Sequence, residues 1–479
     1  MKEKNLIILC IVFAVLMSLV FLKKSIKPQV PTTEEISDII VPSISADNLT
    51  EIIIRLGNGE SGDMLKPKNV RLVKEGNHWT VRSHYGVYAR DQIITTLLEK
   101  LDQLQGELRS DNKGILADYG IDNERAVHVQ LQRPDADYID VVVGTQKAGY
   151  QNNFVRMGGS NAVYVVNENL LAALGVRGED EDQKLDTDTW IDKRIAHLEP
   201  NDVVGVAITE GNGGTERIAV DIKRELVDEK KQWKSAITYD FGLSVSKIKS
   251  MIEAFNNTYA QDVVAPDEEG VFDAPGWTAL FTLANGDQVK LVRGEEKPEG
   301  KYYVKLDGAG YFYQIATSTF NSRKDQQGNI FADNPIKADE KSISEVEIRD
   351  LVNAKKFHAL KKAPEEAQGV AGEKADKPAD PKEDLWETPG GETVELTKVR
   401  DIINKIQGIG LEAVLQPEAS IDEAMVMRIT KDGIVTEYKI SKDLKLGTGK
   451  ECHFLRVNGN TQSYCAAKPP ISALQNILP

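Results

Sequence analysis

Phe154-Val155-Arg156-Met157-Gly158-Gly159 has two counterparts further along the chain. They are Tyr303-Val304-Lys305-Leu306-Asp307-Gly308 and Phe454-Leu455-Arg456-Val457-Asn458-Gly459. Each begins with an aromatic residue, places a cation third, and ends in a dipeptide suited to a tight hairpin turn. A tyrosine follows ten residues after each leading aromatic, at Tyr164, Tyr313 and Tyr464. Three hairpins of one design in a single chain indicate an internal repeat, and the flanking sequence extends it.

Upstream of each hairpin lies a tryptophan, Trp79, Trp233 or Trp386. A candidate helix cap follows each one: Asp91, Ser244 and Thr397. Behind these caps the apolar residues recur every three or four positions, as on a one-sided helix. The first stripe is Ile93, Ile94, Leu97, Leu98, Leu101 and Leu104; the second is Val245, Ile248, Met251, Ile252 and Phe255. The third is Val399, Ile402, Ile403 and Ile406, closed by Gly408. Next comes an apolar-Asp pair, Ile121-Asp122, Phe272-Asp273 or Ile421-Asp422, and then a strand. Further strands open each module, near Ile52–Arg55, Val203–Ile208 and Val346–Ile348.

The expected fold class is α+β, with three tandem modules, each a mostly antiparallel sheet carrying one main helix. The modules span residues 48–200, 201–342 and 343–479. Residues 361–384, rich in Ala, Pro, Glu, Lys and Asp, form a disordered insertion in the third. Leu6 to Leu22 is an apolar run broken only by Ser18 and flanked by Lys2, Lys4, Lys23, Lys24 and Lys27. Seventeen helical residues span roughly 26 Å, enough to cross a bilayer core. A cleaved signal peptide is the rival reading, but no small-x-small site follows the run. Residues 1–27 therefore read as a transmembrane anchor held in inner-membrane lipid through 6–22, and residues 28–47 as a stalk. The flanking lysines nearly balance and leave the orientation open.

The net charge is −15, which disfavours nucleic acid as a partner of the globular part. Three cysteines exclude a disulfide-dense scaffold and a four-cysteine zinc site. Cys452 and Cys465 are a candidate disulfide. If Asn458-Gly459 is a two-residue turn, the two face each other at a non-hydrogen-bonded position, within bonding reach. Such a bond requires an oxidising compartment and would place the modules outside the cytoplasm.

Reactive constellations are not apparent. The six histidines, His78, His84, His128, His197, His358 and His453, include no zinc-protease spacing. Ser244-x-x-Lys247 matches one acyl-enzyme spacing, but Ser244 falls in register with the helix caps. The acidic group Glu179, Asp180, Glu181, Asp182, Asp186, Asp188 and Asp192 lacks the glycine turn and terminal glutamate of a calcium loop, so a solvated loop is the preferred reading. Arg156, Lys305 and Arg456 are candidate ligand-facing residues for an anionic groove, but the preferred reading is an exposed strand cation that deters edge pairing. No catalytic residue, metal or cofactor is expected.

The order of Trp-ended hairpin, capped helix, Asp118-Tyr119-Gly120-Ile121-Asp122, strands and Phe154-Val155-Arg156 hairpin resembles the bacterial family DUF4340, a domain of unknown function. The first module is the best match and the other two are looser copies; Phe272-Asp273-Ala274-Pro275 lacks the Tyr-Gly. The resemblance implies a membrane-anchored, extracytoplasmic (periplasmic-side) protein, with some relatives associated with gliding-type ABC transport systems. The expected function is thus a non-catalytic accessory or scaffold component of a membrane transport complex, with other membrane or envelope proteins as partners. The alternatives are an envelope glycan- or peptide-binding protein, or a hydrolase with its site between modules.

Overall fold

The computed structural model describes residues 38–57, 69–134, 136–147, 152–178, 183–212, 215–227, 230–236, 241–266, 271–273, 275–297, 299–324, 329–362, 384–415, 421–445, 451–459 and 462–479. The apolar run 6–22 and most of the insertion, 363–383, lie outside these. Among the described residues no helix is long and apolar enough to cross a membrane. The chain divides into two compact units, one ending at Asp192 and the other running from Lys193 to Pro479.

The fold is α+β, built on large antiparallel sheets with few helices. The first unit contains one such sheet. From one edge its strands are Asp38–Ile39, Gln105–Ser110, Val163–Val166, Asn153–Met157, Ala136–Lys147 and Val127–Arg133. Glu51–Leu56, Asn69–Glu75, His78–Val81 and Val87–Tyr88 complete it. Two sheets in the second unit follow the same order. One runs Asp262–Val264, Phe312–Ala316, Lys301–Leu306, Gln288–Lys297, Trp277–Leu283, Val203–Asn212, Thr215–Val227, Lys230–Ser235. The other runs Leu411–Leu415, Ser463–Ala466, Glu451–Val457, Ile434–Lys445, Glu423–Lys431, Ile343–Asp350, Lys355–Lys361, Trp386–Glu387, Thr393–Val394. Trp79, Trp233 and Trp386 therefore occupy the same strand of each sheet, and all three are buried.

In every module a helix carries the chain from the tryptophan side of the sheet to its opposite edge. The helices are Asp91–Leu101, Val245–Asn256 and Leu396–Gln407. Each buries four side chains of its apolar stripe: Ile94, Leu97, Leu98 and Leu101; Ile248, Met251, Ile252 and Phe255; Val399, Ile402, Ile403 and Ile406. At about 1.5–3 kcal/mol per large apolar side chain, this contact orients each helix. The N-termini differ from the expected caps. Ser244 caps as expected, its Oγ accepting from Lys247 N at 3.3 Å. Asp91 is the first helical residue instead, and its carboxylate accepts from Trp79 N at 3.3 Å, tying strand to helix. Thr397 lies inside its helix, which begins after Glu395 without a side-chain cap. A second, shorter helix follows each hairpin, at Leu170–Ala173, Thr317–Lys324 and Lys468–Ile477.

Two boundaries move. The stalk does not extend to residue 47: Asp38–Ile39 pairs with Gln105–Gly106, and Ile40 and Val41 are buried. Asp102 then accepts from Ser43 Oγ and Ile44 N, so residues 38–47 are part of the first fold. Residues 193–200 belong with the second unit rather than the first: Ile195 N donates to Thr258 O, and Leu198 N to Asn256 Oδ1. The insertion in the third module leaves from Lys361 and returns at Asp384. These side chains form an ion pair at 2.6 Å, and Lys361 lies opposite Trp386 in adjacent strands.

Candidate functional site

Arg156, Lys305 and Arg456 each lie on a strand with neighbours on both sides. This overturns the reading of them as edge-guarding cations, since none has an open edge to guard. Arg156 is 4% exposed and Arg456 9%. Arg156 Nε donates to the Ile121 carbonyl at 3.0 Å, Nη1 to the carbonyls of Met157 and Ser160, and Nη2 to Asn123 Oδ1. Burial lowers the Arg156 pKa, while Asp140 and Asp122 oppose that shift. Lys305 places its ammonium 4.7 Å from the centre of the Phe272 ring. Arg456 Nε donates to Ser463 Oγ at 2.9 Å. In the first two modules the cation thus reaches from the hairpin to the apolar-Asp turn and holds it against the sheet. The three residues belong to three different sheets.

The turn itself is locally stabilised in the first module. Asp122 Oδ1 accepts from the backbone of Glu124 and Arg125, and Arg125 Nη2 lies 2.7 Å from Asp122 Oδ2. Burial pushes the Asp122 carboxyl up, but Arg125 and these backbone donors outweigh it and hold it below the usual carboxylate range.

The hairpin register corrects the cysteine geometry. Phe454 faces Cys465, and His453 faces Ala466, so Cys452 is displaced by two residues from the expected partner. The reason is common to all copies: five residues, not two, separate the strands, from Met157 to Val163, Leu306 to Phe312 and Val457 to Ser463. Val155, Val304 and Leu455 consequently face Tyr164, Tyr313 and Tyr464. Cys452 and Cys465 are both buried and share an apolar cluster with Phe454.

Three histidines each face a carboxylate. His128 Nδ1 is 3.3 Å from Asp140 Oδ1, His358 Nε2 2.7 Å from Glu345, and His453 Nε2 3.0 Å from Asp443. Of the acidic group, residues 179–182 lie outside the described residues. Asp186 caps the turn at Thr187–Thr189, accepting from Asp188 N at 3.2 Å. Among the described residues no group of three or more His, Cys, Asp or Glu side chains is placed to hold a metal.

The sequence reading missed a cavity of about 150 Å3 within the second unit. Phe241, Pro335 and Lys337 line one side and strand residues of the third sheet the other. Its lining residues come from three separate stretches between Phe241 and Tyr438, and no local motif marks it.

These features define a class: a tandem sheet-and-helix protein whose repeated cations and turns serve each module's own architecture. The chain belongs to the family described as Domain of unknown function (DUF4340), matched in tandem over residues 79–275 and 269–425. The first match starts at the Trp79 strand and crosses from the first unit into the second. No curated protein and no solved structure matches the chain.

Proposed function

We propose that the protein is a non-catalytic scaffold or accessory component of a membrane transport complex of the ABC, gliding-like type. Residues 6–22 anchor it in the inner membrane, and the modules stand on the periplasmic side. The observation that carries this reading is the threefold use of one sheet-and-helix design behind a lysine-flanked apolar run. Repeated folded modules present successive surfaces of similar shape, which suits contacts with large neighbours. The internal roles of Arg156, Lys305 and Ser244 support it as well, because the residues that looked reactive in sequence have structural partners here.

Affinity purification of the anchored protein from its native membranes tests the proposal. Transporter ATPase and permease subunits are the expected co-purifying partners. Recovery of cell-wall glycan or peptide in their place would replace it with the envelope-binding reading. Protease added to spheroplasts should digest the modules; full protection would put them in the cytoplasm.

A further inference from the structure

We propose that the sheet edge of the third module, at Thr393, Val394 and Glu395, docks an extended segment of a partner protein that carries two adjacent large apolar residues. The first two modules show what this position accepts. In the first, Ile191 pairs antiparallel with Ala89. Arg90 N donates to Trp190 O, and Asp192 N donates to Tyr88 O, both at 2.8 Å. In the second, Phe331 pairs antiparallel with Leu243. Ser244 N donates to Ile330 O and Ala332 N to Gly242 O, again at 2.8 Å. Arg90 and Ser244 are the residues that precede helices Asp91–Leu101 and Val245–Asn256. The same two main-chain groups are therefore used each time: the N–H of the residue before the helix and the C=O two residues earlier. The docked pairs, Trp190-Ile191 and Ile330-Phe331, are at most 1% exposed.

Glu395 precedes helix Leu396–Gln407, which makes Glu395 N–H and Thr393 C=O the matching groups of the third module. Val394 pairs with Trp386, as Ala89 N donates to Trp79 O in the first module. Thr388 N donates to Glu392 O at 2.7 Å, and bonded pairs alternate along an antiparallel ladder. The groups of Thr393 and Glu395 therefore point away from the Trp386 strand. Thr393–Val394 is the last strand of its sheet, and Thr393 and Glu395 are exposed. Among the described residues neither group has a hydrogen-bond partner. An N–H and a C=O set two residues apart recognise polypeptide backbone, as in the addition of a strand to a sheet edge. With two residues of strand before the helix begins, the edge fits a short extended segment and not the long strand of another sheet. Glu392 and Glu395 flank the position and Glu387 lies opposite Thr393, so cations beside the apolar pair add attraction. Lys193 and Arg194 follow Trp190-Ile191-Asp192 in the first docked segment.

Ligand-observed NMR on the purified full chain in detergent tests this, with a blocked peptide copying residues 188–194 as the probe. Saturable binding with a Kd of about 0.1–1 mM is expected, together with slower hydrogen exchange at the Glu395 amide. Glu395→Ala removes the carboxylate alone. Glu395→Pro removes the N–H as well and keeps the backbone, because Glu395 already has φ −61°, the value a proline ring imposes. The proline variant should bind about fivefold more weakly than the alanine variant, the worth of one hydrogen bond. A peptide N-methylated at the amide matching Asp192 should lose as much on the parent chain, which decides the matter if Glu395→Pro does not fold. Equal affinity of the two variants, equal affinity of the methylated and parent peptides, or no saturable binding up to about 5 mM would overturn the proposal. Self-association of the chain that is lost in Glu395→Pro would overturn it in favour of a second copy. The inference deepens the scaffold reading by naming the kind of segment a partner presents. Because peptide and purified chain suffice, failure to recover transporter subunits leaves it intact.

Discussion

Replacing Arg156 by methionine separates two roles that its sequence context allows. An exposed edge cation could be exchanged with an effect within about 0.5 kcal/mol. The structure places Arg156 at 4% exposure, with its Nε on the Ile121 carbonyl at 3.0 Å inside a buried contact. A hydrogen bond from a charged donor contributes about 1.5–3 kcal/mol, and a buried carbonyl left without a donor costs about 1–3 kcal/mol. Nη1 and Nη2 bond further to Met157, Ser160 and Asn123, which adds to the loss. Methionine refills most of the aliphatic volume, so little cavity cost enters. Relief of the guanidinium's own desolvation offsets part of the loss. A destabilisation of about 2 kcal/mol or more remains, which corresponds to about 30-fold faster exchange of the most protected amides. Hydrogen exchange on the intact chain should show this in the strands Asn153–Met157 and Val127–Arg133. A change below about twofold would refute the inward-facing role.

Gly57 has φ +61°, and a Cβ there would lie 2.2 Å from the Glu124 carbonyl oxygen. Gly57→Ala should therefore cost at least about 2 kcal/mol, read as lost protection in the first unit. Ser244→Ala should lower stability by about 1 kcal/mol, whereas Thr397→Ala should stay within about 0.5 kcal/mol; urea denaturation of each variant distinguishes a cap from a helical position. Asp122 has a folded pKa below its unfolded value near 3.9, so its contribution is present above about pH 4 and lost as pH falls through the folded value. The stability gap between the parent chain and Asp122→Asn should accordingly narrow between about pH 5 and 2, and a gap unchanged with pH would contradict the Arg125 pairing.

The repeat was legible because each module keeps the same chemistry at the same intervals. Trp79, Trp233 and Trp386 mark one strand, and three apolar stripes mark the helices that cross to the far edge. Two features were hidden by the same limitation, that sequence order does not state spatial neighbours. Arg156 looked like an edge residue because nothing local says that Ala136–Lys147 and Val163–Val166 flank its strand. The cavity escaped notice because Phe241 and Lys431, which line it together, lie far apart in the chain. Register failed for a different reason. The glycine-containing dipeptides signal where the chain turns, but not how many residues the returning strand spends before pairing resumes at Val163, Phe312 and Ser463. The same shortfall made Asp38–Ile39 look like a tether, since two residues are too few to show alternation.

The middle seam of each sheet has consequences for how the chain reaches its native state. Ile52 faces Leu131, Ile208 faces Ala279 and Ile348 faces Met427, partners 71 to 79 residues apart. Each module consists of two hairpin stretches that can form early from near neighbours, and a seam that must wait for the crossing helix to bring them together. Closing such long loops before any reward slows folding, on the scale of milliseconds to seconds for sheets of this kind. During that wait, the open edge of one half-module faces a choice. The matching half from the next copy has the same strand order and the same alternation of buried positions, and so can compete for it. Side chains at the seam decide the outcome: Val129 and Leu131 in the first copy, Ala279 and Phe281 in the second, Met427 and Ile429 in the third. Their unequal volumes make a swapped seam pack poorly. Divergence among the copies thus acts as a sorting code, and variants that make the seams alike should raise the yield of misassembled chains on refolding.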